Sequence, residues 1–202
     1  MITLDEIKQE ENYSHSLVVT YPRTIQISHG VYDNIIDMHN MCTMISQNID
    51  TSELTNVYAN KTDWYFFNDK PEFLRFMEYV VIKHQNSNPF FNKNNWNIRN
   101  FCYEAWGNEI KKGDSVAMHT HPSHHLILYL TEGAPLILPE LKMTIYPKKG
   151  HYYIFPPFVY HGVNRIEEDL KTRYCLVANI TLASDWKKKK FIQDIKNARE
   201  KK

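Results

Sequence analysis

Two histidines flanking a threonine, His119 and His121, a third forty residues on, His161, and an arginine twelve residues after that, Arg173, are the side chains whose types and spacing point to chemistry. In an extended segment, side chains two apart point the same way. His119 and His121 therefore share a face. If that face looks into a barrel, both imidazoles converge on one ion at about 2.0–2.2 Å. His161, in "GHYYIFPPFVYHGV", joins them if a later strand lies alongside, as distant strands do in a jelly roll. Three protein ligands with open positions is the arrangement a catalytic metal needs. The plainer alternative is a group of hydrogen-bonded or solvent-facing histidines.

His124 and His125 follow Pro122, and their parity relative to His121 does not carry across that turn. They read as rim residues or as residues backing the ligands. His15, His29, His39, His84 and His151 have no comparable context. Within "RYCLVANITL" the strand period puts Arg173, Cys175, Val177 and Asn179 on one face, and Tyr174, Leu176, Ala178 and Ile180 on the other. A buried arginine needs a partner. A bound carboxylate would match the guanidinium fork; the alternative is a strand-end arginine reaching solvent, Glu167, Glu168 or Asp169.

The elements that must position these residues change character along the chain. "SLVVTYPRTIQISHG" reads as two extended pieces broken at Pro22. Ile35, Met38, Met41, Met44 and Ile45 recur at helical spacing. "DKPEFLRFMEYVVIKHQ" predicts a helix with Pro71 in its first turn and a buried stripe of Phe73, Phe76, Met77, Val80 and Val81. From about residue 97, short β-prone segments separated by turns take over. From Ser184 an amphipathic helix is expected around Trp186, Ile192 and Ile195. The reading is α+β built on a jelly-roll-like core, with N-terminal helices and a C-terminal helix. It is taken as one domain over residues 1–202, divided into a mixed helical part (1–95), a jelly-roll core with the metal site (96–182) and a terminal helix (183–202).

Composition bounds the function classes. A length of 202 residues suits one well-buried domain. A net charge of +1 gives no electrostatic case for nucleic acid. The basic run at Lys187–Lys190 reads as a solvated helix face. Three scattered cysteines, Cys42, Cys102 and Cys175, argue for a reduced, cytoplasmic setting, and no apolar leader or membrane-length segment is expected.

Taken in order, "EAWGNEIKKGDSVAMHTHP", "LILYL", "PKKGHYYIFPPFVYHGV" and "RYCLVANI", spanning about residues 96–181, resemble the iron(II)/2-oxoglutarate-dependent oxygenases. They are most similar to the small prolyl-hydroxylase-like group common in phage and bacterial genomes. "TNVYANKTDWYFFNDKPEF" supports the resemblance loosely in the N-terminal half. The resemblance implies a double-stranded β-helix fold and a hydroxylase using Fe(II), 2-oxoglutarate and O2. It places His119 at the first iron ligand, His161 at the distal histidine and Arg173 at the far carboxylate of 2-oxoglutarate. Tyr103, Trp106, Asn108, Tyr129 and Asn179 are the expected wall residues near the co-substrate. The chain departs from the family at His121, where most members carry Asp or Glu. Three neutral imidazoles leave the site one negative charge short, which implies weaker iron binding and stronger attraction for an anionic co-substrate. Asp114 has the wrong parity to substitute, and Glu104 would need tertiary folding to reach the site.

The same residues resemble a cupin, with Gly113 six residues before His119 but Phe158 where the second cupin motif has glycine. Two alternatives therefore stand beside the oxygenase: a three-histidine cupin enzyme that does not use 2-oxoglutarate, and a non-catalytic metal-binding jelly roll. The primary substrate, a peptide or a small metabolite, is not readable, and a homodimer is left open.

Overall fold

The structure is a computed structural model and describes residues 2–3, 15–21, 23–50, 57–92, 97–183 and 190. Its elements in chain order are β1 (Ile2–Thr3), β2 (His15–Tyr21), β3 (Arg23–Val31), α1 (Ile35–Gln47), β4 (Val57–Tyr58), β5 (Asn60–Lys61), α2 (Pro71–His84), β6 (Phe101–Ile110), β7 (Ser115–His119), β8 (His124–Tyr129), β9 (Leu136–Leu138), β10 (Met143–Ile145), β11 (His151–Phe155), β12 (His161–Val163) and β13 (Arg173–Leu182). The terminal helix expected from Ser184 lies outside the described residues.

The strands form two sheets, one in the order β2-β3-β11-β8-β13-β6-β5 and the other β1-β10-β9-β12-β7-β4. All pairs are antiparallel except β1 with β10. This is the α+β jelly-roll class expected from the alternating segments. The break at Pro22 separates two paired strands, β2 and β3.

Two hydrophobic cores lie on opposite faces of the larger sheet. Its outer face gives Ala105, Leu126, Leu128, Ile154, Leu176, Ala178 and Ile180 to a core shared with α1 and α2. Its inner face gives Trp106, Ile127, Tyr129, Tyr153, Phe155, Cys175 and Val177 to a core shared with the smaller sheet. β13 is therefore buried on both faces, which explains its nearly unbroken apolar run. On α2 the stripe of Phe73, Phe76, Met77, Val80 and Val81 is fully buried, each side chain contributing about 1.5–3 kcal/mol.

On α1 the buried face is Asp37, Met38, Met41 and Ile45, with Met44 half-buried. Ile35, expected in the stripe, is exposed, and a carboxylate takes the inward position instead. Asn34 caps the helix by accepting from Asp37 N–H at 3.0 Å. Asp37 accepts from Tyr32 Oη at 2.6 Å and from both Nε and Nη2 of Arg75 on α2, so this turn is held by polar contacts. The Arg75 hydrogen bond lowers the Asp37 pKa, reinforced by Tyr32 and opposed by burial. No helix among the described residues is long and apolar enough to cross a membrane.

Candidate metal centre

His119 closes β7 and His161 opens β12. The antiparallel pairing of those strands sets the two residues directly opposite each other. The register shifts between His161 and Val163, and Gly162 sits in that irregularity. A Cβ on Gly162 would lie 2.7 Å from the Val116 carbonyl oxygen and 2.8 Å from Met118 Sδ, so the close approach of the strands requires glycine. Gly162→Ala is expected to push β12 off β7 and weaken divalent-metal binding about 10-fold or more, as for other changes that misplace a ligand without removing it. Calorimetric titration with Co(II) checks this, and unchanged affinity would contradict it.

His121 lies beyond the end of β7, in the turn leading to β8. Its backbone is anchored from the other ligand-bearing segment, where Phe158 N–H donates to the His121 carbonyl at 2.9 Å. Phe158 has a φ of 68°, a left-handed conformation rare for a bulky residue, and its side chain is exposed. The ligand nitrogens of His119, His121 and His161 all lie within 4.8 Å of one another.

Two of the rings are oriented for ligation through Nε2. His119 Nδ1 lies 2.7 Å from the Ala117 carbonyl and His161 Nδ1 lies 2.8 Å from the Val159 carbonyl. A carbonyl only accepts, so each Nδ1 carries hydrogen and each Nε2 presents a lone pair. His119 Nε2 is 3.0 Å from His121 Nε2. In the neutral pair that contact requires a hydrogen on His121, which a cation would replace.

Burial keeps these imidazoles in the neutral, ligating form. It lowers the His119 pKa, pushes His161 down to about 4 and, with the neighbouring histidines, pushes His121 down to about 3. His84 on α2, hydrogen-bonded to Tyr152 Oη at 2.9 Å, is also pushed down to about 4 by burial. The unfolded chain protonates each of these rings below about pH 6.5, while folded His161 and His84 resist protonation until about pH 4. Unfolding therefore takes up protons in that window, and stability present above it falls as the pH falls, by about 1.4 kcal/mol per unit per ring. The melting temperature of the metal-free protein should drop steadily from pH 6.5 towards 4; a flat profile would contradict this.

The inner face of the larger sheet continues from the histidines to Arg173. By register, one end carries His125, Asn179 and Glu104, followed by Ile127, Val177 and Trp106, then Tyr129, Cys175 and Asn108, and last Arg173 with Ile110. Arg173 is only 1% exposed, its Nη1 donates to the Ala134 carbonyl at 2.6 Å, and its guanidinium lies 5.8 Å from the centre of the Tyr129 ring. It forms no ion pair with a described residue, and Glu167 pairs with Arg165 instead. Among the described residues, five buried side-chain polar atoms have no hydrogen-bond partner, and four of them, Trp106 Nε1, Asn108 Oδ1, Tyr129 Oη and Arg173 Nε, lie on this one face. Unpartnered buried polar groups cost stability. A cluster of them around an arginine fits an anionic, hydrogen-bonding ligand.

The structure thus brings His119, His121 and His161 together, and puts Trp106, Asn108, Tyr129, Arg173 and Asn179 on the same inner face. Tyr103 is the correction. It faces the helices, with its Oη donating to the Ile98 carbonyl at 2.8 Å and its ring edge-on to Phe73, so it is no wall of this site. β6 is one unbroken strand, and Tyr103 has the opposite parity to Trp106 and Asn108. His124 likewise faces outward and stacks on Phe90. Sequence reasoning left His125 without a definite place: it is 5% exposed and stacks on His121. Parity with Tyr129 along β8 was the available signal. Asp114 accepts from Lys111 N–H in the turn before β7. The histidine cluster includes no carboxylate among the described residues.

No protein-family model and no curated protein matches this chain. Solved structures do resemble its fold. A viral collagen prolyl hydroxylase from Paramecium Bursaria Chlorella virus-1, in complex with 2OG, superposes with a TM-score of 0.53 at 13% identity over 77% of this chain and 96% of that one. A Pseudomonas putida prolyl-4-hydroxylase superposes with a TM-score of 0.55 at 11% identity over 78% of this chain and 93% of that one. At these identities the likeness is one of fold: this chain has the jelly-roll architecture on which those hydroxylases are built.

Proposed function

We propose that this chain is an Fe(II)- and 2-oxoglutarate-dependent oxygenase that hydroxylates a peptide or protein side chain or a small metabolite. The observation that carries the reading is the shared inner face, with three convergent imidazoles towards one end and, towards the other, a buried arginine without an ionic partner among the described residues, set among unpartnered polar atoms. His119, His121 and His161 would hold the iron. Arg173 would bind the distal carboxylate of 2-oxoglutarate through its fork, with Tyr129 Oη, Asn108 and Trp106 Nε1 as the remaining hydrogen-bonding groups of the wall. Together, iron and 2-oxoglutarate supply the oxidising power to insert one atom of O2 into a C–H bond, with succinate and CO2 as co-products. The chain's own contribution is to keep three imidazoles neutral, to fix the tautomers of His119 and His161, and to exclude water from the inner face.

The all-imidazole ligand set favours a second reading, a three-histidine cupin enzyme indifferent to 2-oxoglutarate. Succinate formation separates the two. Protein supplied with Fe(II), O2, 2-oxoglutarate and a panel of peptides and metabolites should produce succinate and a substrate heavier by one oxygen atom. Oxygen consumption that does not depend on 2-oxoglutarate would replace the first reading with the second.

A further inference from the structure

We propose that His125, held by Asn179 and Glu104, is the positioning residue for the His121 ligand, a proposal that rests on the metal reading above. The three ligand rings are not held alike. His119 and His161 are each fixed by an Nδ1–H donated to a backbone carbonyl two residues earlier. His121 lies past the strand end, and among the described residues its ring makes one hydrogen bond, the Nε2 contact with His119 that a metal would replace. Its ring is stacked on two neighbours, on His161 with centroids 5.2 Å apart and planes 19° apart, and more closely on His125. It lies 13° from the plane of His125, with ring centroids 3.8 Å apart.

His125 is in turn held rigidly. It is buried, with Trp106, Phe155 and His161 around it. Its Nδ1 is 3.2 Å from Asn179 Oδ1, and Asn179 Nδ2 donates to Glu104 Oε2 at 2.9 Å. The logic of this chain of contacts is directional. An ionised carboxylate only accepts, so Glu104 turns the Asn179 amide with its NH2 outward and its oxygen inward. That oxygen accepts in turn, so His125 carries its hydrogen on Nδ1. Glu104 is exposed, Asn179 is at the margin of burial and His125 is enclosed. A surface carboxylate thus sets the ring orientation of a buried imidazole, and that imidazole sets the plane of a ligand.

The arrangement also bears on charge. Among the described residues, the ligand cluster includes no carboxylate. Glu104 reaches it through two hydrogen bonds and one ring stack, using residues 104, 125 and 179 of three adjacent strands.

The test is Co(II) binding, read by calorimetry and by the visible d–d spectrum, which reports coordination geometry independently of turnover. His125→Phe keeps a flat ring against His121 but loses the Asn179 tie, and should weaken binding several-fold, as Glu104→Gln does, and less than His125→Ala. His125→Ala removes the ring and should bind about 10–100-fold more weakly, with an altered spectrum. Glu104→Gln is a surface change that leaves the fold intact. It frees the Asn179 amide to turn, and should weaken binding several-fold while the melting temperature of the metal-free protein stays put. Wild-type affinity and spectrum in His125→Ala would overturn the proposal, as would equal losses in the Phe and Ala variants. Absence of Co(II) binding in the wild type would overturn the metal reading itself, an outcome distinct from wild-type binding that His125→Ala leaves unchanged.

Discussion

Replacing His161 with alanine is expected to weaken divalent-metal binding more than about 100-fold, beyond the range seen when only a supporting residue is lost. His161 is the most deeply buried of the three candidate ligands, at 3% exposure. It comes from β12, whereas His119 ends β7 and His121 lies in the turn just beyond, so it closes the set across the β7–β12 pair. Without it, two donors remain on one side of the site, and the Val159 carbonyl loses its partner. The substitution also leaves a cavity beside Phe155, whose ring is stacked 5.8 Å away, at a cost of a few kcal/mol. Melting temperatures in the presence of chelator separate that cost from the loss of metal. Calorimetric titration of the folded variant with Co(II) is the measurement, and near-wild-type affinity would remove His161 from the ligand set.

Arg173→Met is expected to abolish 2-oxoglutarate binding while leaving the ligand-free protein within about 1 kcal/mol of wild type. An ordinary large-to-small change at a site 1% exposed costs about 2–5 kcal/mol. Here two terms oppose each other. Methionine fills much of the same space and removes the cost of burying a charge that has no ionic partner among the described residues. The Ala134 carbonyl, which accepts from Arg173 at 2.6 Å, is left unpaired at about 1–3 kcal/mol. The guanidinium contact with Tyr129 is lost as well, a smaller term. The melting temperature of the ligand-free variant should therefore move by no more than about 2–4 °C. 2-Oxoglutarate added with a redox-inert divalent metal should raise the melting temperature of wild type and leave that of the variant unchanged. Arg173→Lys keeps the charge but loses the bidentate fork, and should raise the apparent KM for 2-oxoglutarate about 10-fold. A loss of several kcal/mol in ligand-free Arg173→Met would assign the residue to the fold.

Much of the architecture was legible because it rests on local periodicity. The α2 stripe and the two faces of β13 follow from side-chain direction within one element, and the structure matches them residue for residue. The placement of His119 with His121 followed from the same rule, although the strand ends at His119 and the turn beyond it keeps the two rings together. Errors arose where one local rule met a second constraint. Tyr103 is among the expected wall residues with Trp106 and Asn108, but in an unbroken strand its opposite parity turns it to the helices. Ile35 fitted the helical spacing of α1, but the polar ties of Asp37 rotated that turn and left Ile35 in solvent.

What was not legible depends on register between distant strands. His125 and Asn179 are 54 residues apart, and Asn179 and Glu104 are 75 apart. Each residue is visible in the sequence by itself, but a shift of one residue in either pairing would separate all three. The pairing of Ala134 with Arg173 across 39 residues is of the same kind.

The most direct test of the central claim is an anaerobic titration of the metal-free protein with Fe(II) and then with 2-oxoglutarate, followed by visible absorption. A weak metal-to-ligand charge-transfer band is expected that saturates near one equivalent of each and is absent from the His119→Ala protein. Iron binding without that band would contradict the use of 2-oxoglutarate and favour the three-histidine cupin reading; no iron binding would leave the histidine cluster without a metal.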